Sequence, residues 1–281
     1  MRPKPAGIKA SQVLSKNAFR GFVLPKASSH KGQNGIILVI GGSAKYHGAP
    51  MLAMLAASRF CDLIFFYSPA KENQKIANLM KPRLFEFIGI HENELEKHLD
   101  WADCTLIGNG MENTQESRKL VISVLRKGSK SVLDAGALYP YIVPYLHKNC
   151  LITPHSSEFV RVFGVPATVS SVQACAKKHG CNILCKTPQC DIISDGKTAR
   201  IGLSGVPGMT HGGKGDVLAG TACAFCATQR TIFGAACMAA FLNGFAGEES
   251  AKKGGIFISA SGIANALPQA LYKLVKKPEK S

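Results

Sequence analysis

The run Gly208-Met209-Thr210-His211-Gly212-Gly213-Lys214-Gly215-Asp216-Val217-Leu218-Ala219-Gly220 concentrates the chemistry of this chain. Glycines at 208, 212, 213 and 215 let backbone N–H groups turn toward a ligand with no Cβ in the way. A small-residue helix, expected from Val217 to about Thr228, follows at once. Its first turn adds N–H donors and the positive end of a dipole. Together these make a cradle for phosphate, or for a transition state carrying phosphoryl charge. Asp216 stands at the lip of the cradle. It is either a helix cap or the group that takes a proton from an attacking hydroxyl. A helix N-terminus lowers a carboxylate's pKa, so Asp216 is expected to be a weak base. That suffices where the transition state is metaphosphate-like and activating the nucleophile matters little.

The elements that must position this loop alternate in kind. Ile36-Ile37-Leu38-Val39-Ile40 reads as a strand buried on both faces, closed by Gly41-Gly42-Ser43. Further strands are expected at Leu63–Tyr67, Arg83–Ile88, Cys104–Ile107, Ser131–Leu133, Cys150–Ile152 and Asn182–Cys185. Helices are expected at Pro50–Phe60, Lys71–Met80, Glu92–Leu99 and Gln115–Arg126. A helix pair follows the sixth strand, and Gly234–Glu249 and Ile258–Lys273 close the chain. Asp191–Ser194 and Thr198–Ile201 flank Asp195-Gly196, which reads as a two-residue hairpin turn. This alternation specifies an α/β fold with a mostly parallel sheet and helices on both faces. Gly-Gly-Ser, Gly108-Asn109-Gly110, Asp134-Ala135-Gly136, Thr153-Pro154-His155 and Lys186 all fall just after apolar strands. Ligands of open α/β sheets bind there.

The 281 residues, 46% of them apolar, are expected to form one domain over 1–281, with basic segments at 1–20 and 275–281. The formal charge of +16 raises nucleic acid or an anionic membrane as partners. The basic residues are spread along the chain, and no aromatic-interleaved basic stretch or recognition helix accompanies them. The expectation is therefore no nucleic acid, no membrane and a polyanionic small-molecule ligand. No apolar run approaches the ~18–20 residues of a membrane span. Most of the ten cysteines sit in apolar runs and Met1-Arg2-Pro3-Lys4-Pro5 opens no secretory signal, so a reduced, cytoplasmic chain is expected. Cys223-Ala-Phe-Cys226 has metal-like spacing but no partner pair nearby.

Taken in order, the motifs resemble those of the NAD(P)H-hydrate dehydratases, repair enzymes within the ribokinase-like superfamily. The match runs through His30-Lys31-Gly32, Leu38 to Ser43, His47-Gly48-Ala49-Pro50, Ile107 to Met111, Val132-Leu133-Asp134-Ala135, Leu151 to His155 with Glu158-Phe159, and Gly205 to Gly220. It covers about residues 20 to 275. The resemblance implies a three-layer α/β/α fold with a C-terminal β-hairpin plus helices. It implies ADP- or ATP-driven dehydration of hydrated NADH or NADPH: the added hydroxyl is phosphorylated, then phosphate is eliminated. Mg²⁺ is the expected cofactor, and hydrated dinucleotide and adenine nucleotide are the expected partners.

By the same resemblance Asp216 is catalytic and touches substrate, together with Ala49, Gly110 and His155. Lys186, Thr187, Pro188, Gln189 and Cys190 are expected at the nucleotide with Gly212, Gly213, Lys214 and Gly215. Asp134 matches an acidic residue at the fifth strand's end. Thr153-Pro154 reads as an N-cap and N1 pair, which puts His155 on a first helical turn. The chain departs from the family at Gly136 (usually Asp), Lys214 (usually Thr) and Gln33 (usually acidic). Lys214 is expected either to add charge beside the phosphates or to pair with Asp216. A fused epimerase domain is not expected. Small-residue helices suggest a homo-oligomer. The competing reading is a small-alcohol kinase of the same fold, acting on a sugar, a vitamin precursor or hydroxyethylthiazole.

Overall fold

The computed structural model describes residues 7–80, 84, 86–210 and 212–276. Residues 1–6, Arg83, Phe85, His211 and the end of the basic tail, 277–281, lie outside the described residues. Among the described residues nine strands form one sheet in the order β3-β2-β1-β4-β5-β6-β7-β8-β9. They are β1 Ile36–Ile40, β2 Leu63–Tyr67, β3 Ile88–Gly89, β4 Cys104–Ile107, β5 Ser131–Leu133, β6 Cys150–Ile152, β7 Asn182–Lys186, β8 Asp191–Ser194 and β9 Ala199–Gly202. Neighbours pair parallel from β3 through β7, and β7-β8-β9 pair antiparallel. The order reverses between β1 and β4, so a crevice opens outside their carboxyl ends.

Strand side chains alternate between two faces. Ile37, Val39, Ile64, Phe66, Leu106, Val132 and Leu184 share one core with α1 (Gly48–Ala57), α7 (Lys214–Thr228), α8 (Ile232–Gly254) and α9 (Ala260–Val275). Ile36, Leu38, Ile40, Phe65, Ile107, Leu133 and Ile183 share the other with α3 (Leu95–Trp101), α4 (Gln115–Arg126), α5 (Ser156–Phe163) and α6 (Val169–His179). The remaining helix, α2 (Lys71–Met80), packs by β3. The result is the expected three-layer α/β/α arrangement. In α4 the buried Ser117, Val121, Val124 and Leu125 form a single stripe, as a surface helix requires. By contrast α7 is buried continuously from Val217 to Cys226. Its Gly220 lies against the Ala53 carbonyl of α1, where a Cβ would collide. Small residues therefore let α7 reach under the site.

Three local expectations need correction. The connection from β8 to β9 has four residues, because Ser194 pairs with Ala199. Asp195 Oδ1 accepts from the Lys197 and Thr198 amides, and Gly196 takes φ 86°. The side-chain turn absorbs the two extra residues. The third strand is confined to Ile88–Gly89 among the described residues. The helix after the glycine loop starts at Lys214 rather than Val217, with Gly213 as its left-handed N-cap at φ 88°. All ten cysteines are free thiols, and most are buried. Among the described residues no helix is long and apolar enough to cross a membrane.

Candidate active site

Asp216 occupies the first turn of α7, two residues past its first helical position. It is therefore not the cap of that helix. Gly213, the cap, has no side chain with which to satisfy the first-turn N–H groups. The Asp216 carboxylate faces the end of β4, where Asn109 Nδ2 donates to Oδ1 at 2.7 Å. The same nitrogen donates to Asp134 Oδ2 at 3.0 Å. Asp134, buried just after β5, accepts on Oδ1 from Thr153 Oγ1 at 2.8 Å and from Lys186 Nζ at 2.9 Å. Four strand ends and a helix start thus meet in one polar network.

The charge balance differs from the expectation that the helix end would make Asp216 more acidic. Burial and the neighbouring Asp134 push its carboxyl up to about 6, against the pull of the Asn109 hydrogen bond and Lys186. Desolvation outweighs the dipole because the carboxylate sits under the sheet edge rather than in water. Asp216 is thereby a better base than the sequence implied, and still ionised at neutral pH. Burial lowers the Lys186 ammonium pKa, but Asp134, Glu158 and Asp216 more than offset it and hold it above its ordinary value.

Close packing lies on one side of Asp216, and a cavity lined by its neighbour Gly215 on the other. On the switch-point side, Gly110 follows Asn109 with φ 73°, and a Cβ there would meet the Tyr46 carbonyl and Ala49. Gly110 and Ala49 are thus brought together beside Asn109. On the other side is a cavity of 440 Å³, within the roughly 300–1,000 Å³ range of small-molecule sites. Lys186, Thr187, Pro188, Lys214 and Gly215 line it. Lys186 Nζ lies 3.4 Å from where a Gly215 Cβ would be, so the ammonium sits over the glycine loop. Gln189 is exposed at the β7–β8 turn, and Cys190 is buried beneath it, where Thr187 Oγ1 donates to its carbonyl. Gly212 and Gly213 form the approach to α7 rather than the cavity wall. The wall also includes Val206 and Leu218, which lie inside the Gly205–Gly220 motif, and Ser204 and Asn243, which the sequence did not single out.

His155 is the N-cap of α5, not a first-turn residue. Its Nδ1 accepts from the Glu158 amide, and Glu158 Oε2 accepts from the His155 amide. Thr153 is drawn away from capping by Asp134 and the Leu133 carbonyl. His155 Nε2 lies 3.4 Å from Glu158 Oε1, and the side chain is more than half exposed at the rim. The buried Glu158 carboxyl is raised, first by burial and then by Asp134.

The departures acquire physical reasons. A side chain at Gly136 would collide with the Met111 carbonyl, because Ala135 turns the chain there at φ 47°. Buried Lys214 donates from Nζ to the Gly208 carbonyl, and burial lowers its pKa. Gln33 Oε1 accepts from the His30 amide at 3.0 Å, the acceptor role an acid would fill. His30-Lys31-Gly32 precedes β1 and lies at the opposite end of the sheet from Asp216.

Residues 37–269 match the family described as NAD(P)H-hydrate dehydratase. The chain is 35% identical to the ADP-dependent (S)-NAD(P)H-hydrate dehydratase of Cenarchaeum symbiosum, over 93% of this chain and 97% of that one. It is 36% identical to the enzyme of the same name from Nitrosopumilus maritimus, over 84% and 88%. Among solved structures it is similar to the ADP/ATP-dependent NAD(P)H-hydrate dehydratase of Bacillus subtilis, co-crystallised with ATP and Mg²⁺. That likeness has TM-score 0.83 and 23% identity over 93% of this chain and 98% of that one. A ribokinase-like superfamily protein of Enterococcus faecalis gives TM-score 0.83 at 25% identity, over 94% and 96%. The fold is accordingly ribokinase-like.

Proposed function

The chain belongs to the NAD(P)H-hydrate dehydratase family, and we propose that it restores hydrated NADH or NADPH using ADP or ATP. The observation that carries this reading is the placement of Asp216. Its carboxylate is bonded to Asn109 at the end of β4, and its neighbour Gly215, at the open end of α7, lines the cavity under Lys186.

The hydrated dinucleotide lies over Gly110 and Ala49, with the exposed His155 ring at the rim beside it. The nucleotide fills the cavity, its terminal phosphate toward Gly215 and Lys186. Asp216 takes the proton of the added hydroxyl as that oxygen attacks the phosphoryl group. The α7 amides and Lys186 stabilise the spread negative charge. Loss of the ester as inorganic phosphate, together with a proton given up to solvent by the adjacent ring carbon, then re-forms the ring double bond.

Among the described residues no group of three or more His, Cys, Asp or Glu could hold a metal ion. The Mg²⁺ in this proposal therefore enters as the counter-ion of the nucleotide phosphates. Excess chelator should abolish turnover.

The test is incubation with hydrated NADH and either nucleotide, following the return of NADH absorbance and release of inorganic phosphate. Stoichiometric phosphate with recovered NADH supports the dehydratase. A phosphate ester that persists without NADH recovery would replace it with the small-alcohol kinase.

A further inference from the structure

Asn109 is fully buried between two acidic side chains. Its backbone carbonyl accepts from the Gly42 amide at 2.8 Å, which ties the end of β4 to the end of β1. Its Nδ2 then spans the gap between Asp134 and Asp216. The Oδ1 of the same amide is buried without a hydrogen-bond partner. A buried polar atom left unpaired is costly, and such an atom in a native structure calls for a reason. Turning the amide over would place Oδ1 against two carboxylates. The observed orientation is therefore the one electrostatics permits, and it leaves the oxygen stranded.

An amide nitrogen has two hydrogens. Each here meets one carboxylate oxygen, and a charged acceptor receives such a hydrogen more strongly than a neutral one, so the bond to Asp216 favours its ionised form. We propose that Asn109 is a positioning residue, whose side-chain amide holds Asp216 as an ionised base and leaves its Oδ2 to face the attacking hydroxyl. This rests on the proposed role of Asp216. The hydrogen bond opposes what burial and Asp134 do to that carboxyl.

The other charged groups around Asp216 leave Asn109 this task. Lys186 reaches Asp216 from β7 while bonded to Asp134, Glu158 bears on that pair from α5, and His155 bears on Glu158. On its own helix, Lys214 donates to the Gly208 carbonyl. Against α7, α1 carries no charged residue, and the His47 ring at its start pairs with Asn73. The first charged residues along α8 and α9 are Glu248, which accepts from the Gly205 amide, and Lys273.

The test compares the wild type with Asn109→Ala and Asn109→Ser, each confirmed folded by its cooperative thermal transition. The Asp216 carboxyl is followed by ¹³C NMR titration, assigned by its disappearance in Asp216→Asn. The pH profile of turnover is recorded in parallel. In Asn109→Ala the Asp216 midpoint should rise above the wild-type value. The acid limb of turnover should move up by the same amount, with activity partly recovered at higher pH. Serine, with one hydroxyl hydrogen, should give a smaller shift in the same direction, and it decides the question if the alanine variant does not fold. An unmoved midpoint, or a loss of rate equal at every pH, overturns the proposal. If the midpoint shifts while Asp216→Asn keeps wild-type turnover, the role of Asp216 fails, and the effect of Asn109 on that carboxyl stands.

Discussion

Asp216 carries the most exposed claim at the scale of single residues. Its replacement by Asn should keep the fold and nucleotide binding yet cost ~10²-fold or more in turnover. Wild-type turnover should fall as pH drops through about 6, as the base takes up a proton. The same shift has a consequence for stability. The carboxyl is raised from 3.8 in the unfolded chain to about 6 in the fold, so the unfolded state binds fewer protons between those values. Stability from this group therefore falls as pH rises from about 4 to about 6. Asp216→Asn should be the more stable protein above about pH 6, by at most about 3 kcal/mol, and should lose that advantage below about pH 4. Unfolding midpoints of both proteins across this range check the sign. His155→Ala removes a cap worth about 1 kcal/mol. It should also weaken the hydrated dinucleotide more than ADP, as separate binding titrations would show.

The decisive element is α7, and its demands explain the small residues around it. Gly220 has no space for a Cβ beside the Ala53 carbonyl. Gly220→Val should cost about 1–3 kcal/mol by overpacking and displace α7 from α1. Because α7 carries both the amide cradle and Asp216, turnover should fall with the unfolding midpoint. A stable variant with lost turnover would mean that the helix moved without the core yielding. Strand ends supply the rest: β4 brings Asn109, β5 Asp134 and β7 Lys186, each one or two residues past the apolar run or at its last position. These were legible because a buried parallel strand reads as an uninterrupted apolar run, so the first polar residue marks its carboxyl end. Less legible was the start of α5. Thr153-Pro154 is a fair cap by residue type, but Asp134, distant in sequence, claims the threonine hydroxyl.

For the whole molecule, one continuous sheet from β3 to β9 places the Asn109–Asp216 pair and the cavity under Lys186 at the carboxyl ends of its parallel strands. Ligands that bind only the folded chain should stabilise all of it. ADP with Mg²⁺ at about 100 times its dissociation constant should add about 2.7 kcal/mol. Thermal unfolding at several nucleotide concentrations would show it, and an unmoved midpoint would count against nucleotide binding in the cavity.

The amino-acid order by itself determined the layers, most strand positions and the glycine-rich start of α7. Those follow from local periodicity and from which residue types tolerate unusual backbone angles. The resemblance that these motifs carry added the roles of Asp216, His155 and Lys186. Only the tertiary structure decided that Asn109 bridges two carboxylates, that Lys186 is held over Gly215 by Asp134, and that Asp216 is raised rather than lowered. Each depends on groups 25 to 107 residues apart being packed together and shielded from water. Solvation and charge at a buried point are sums over such neighbours, and no local stretch of chain contains them.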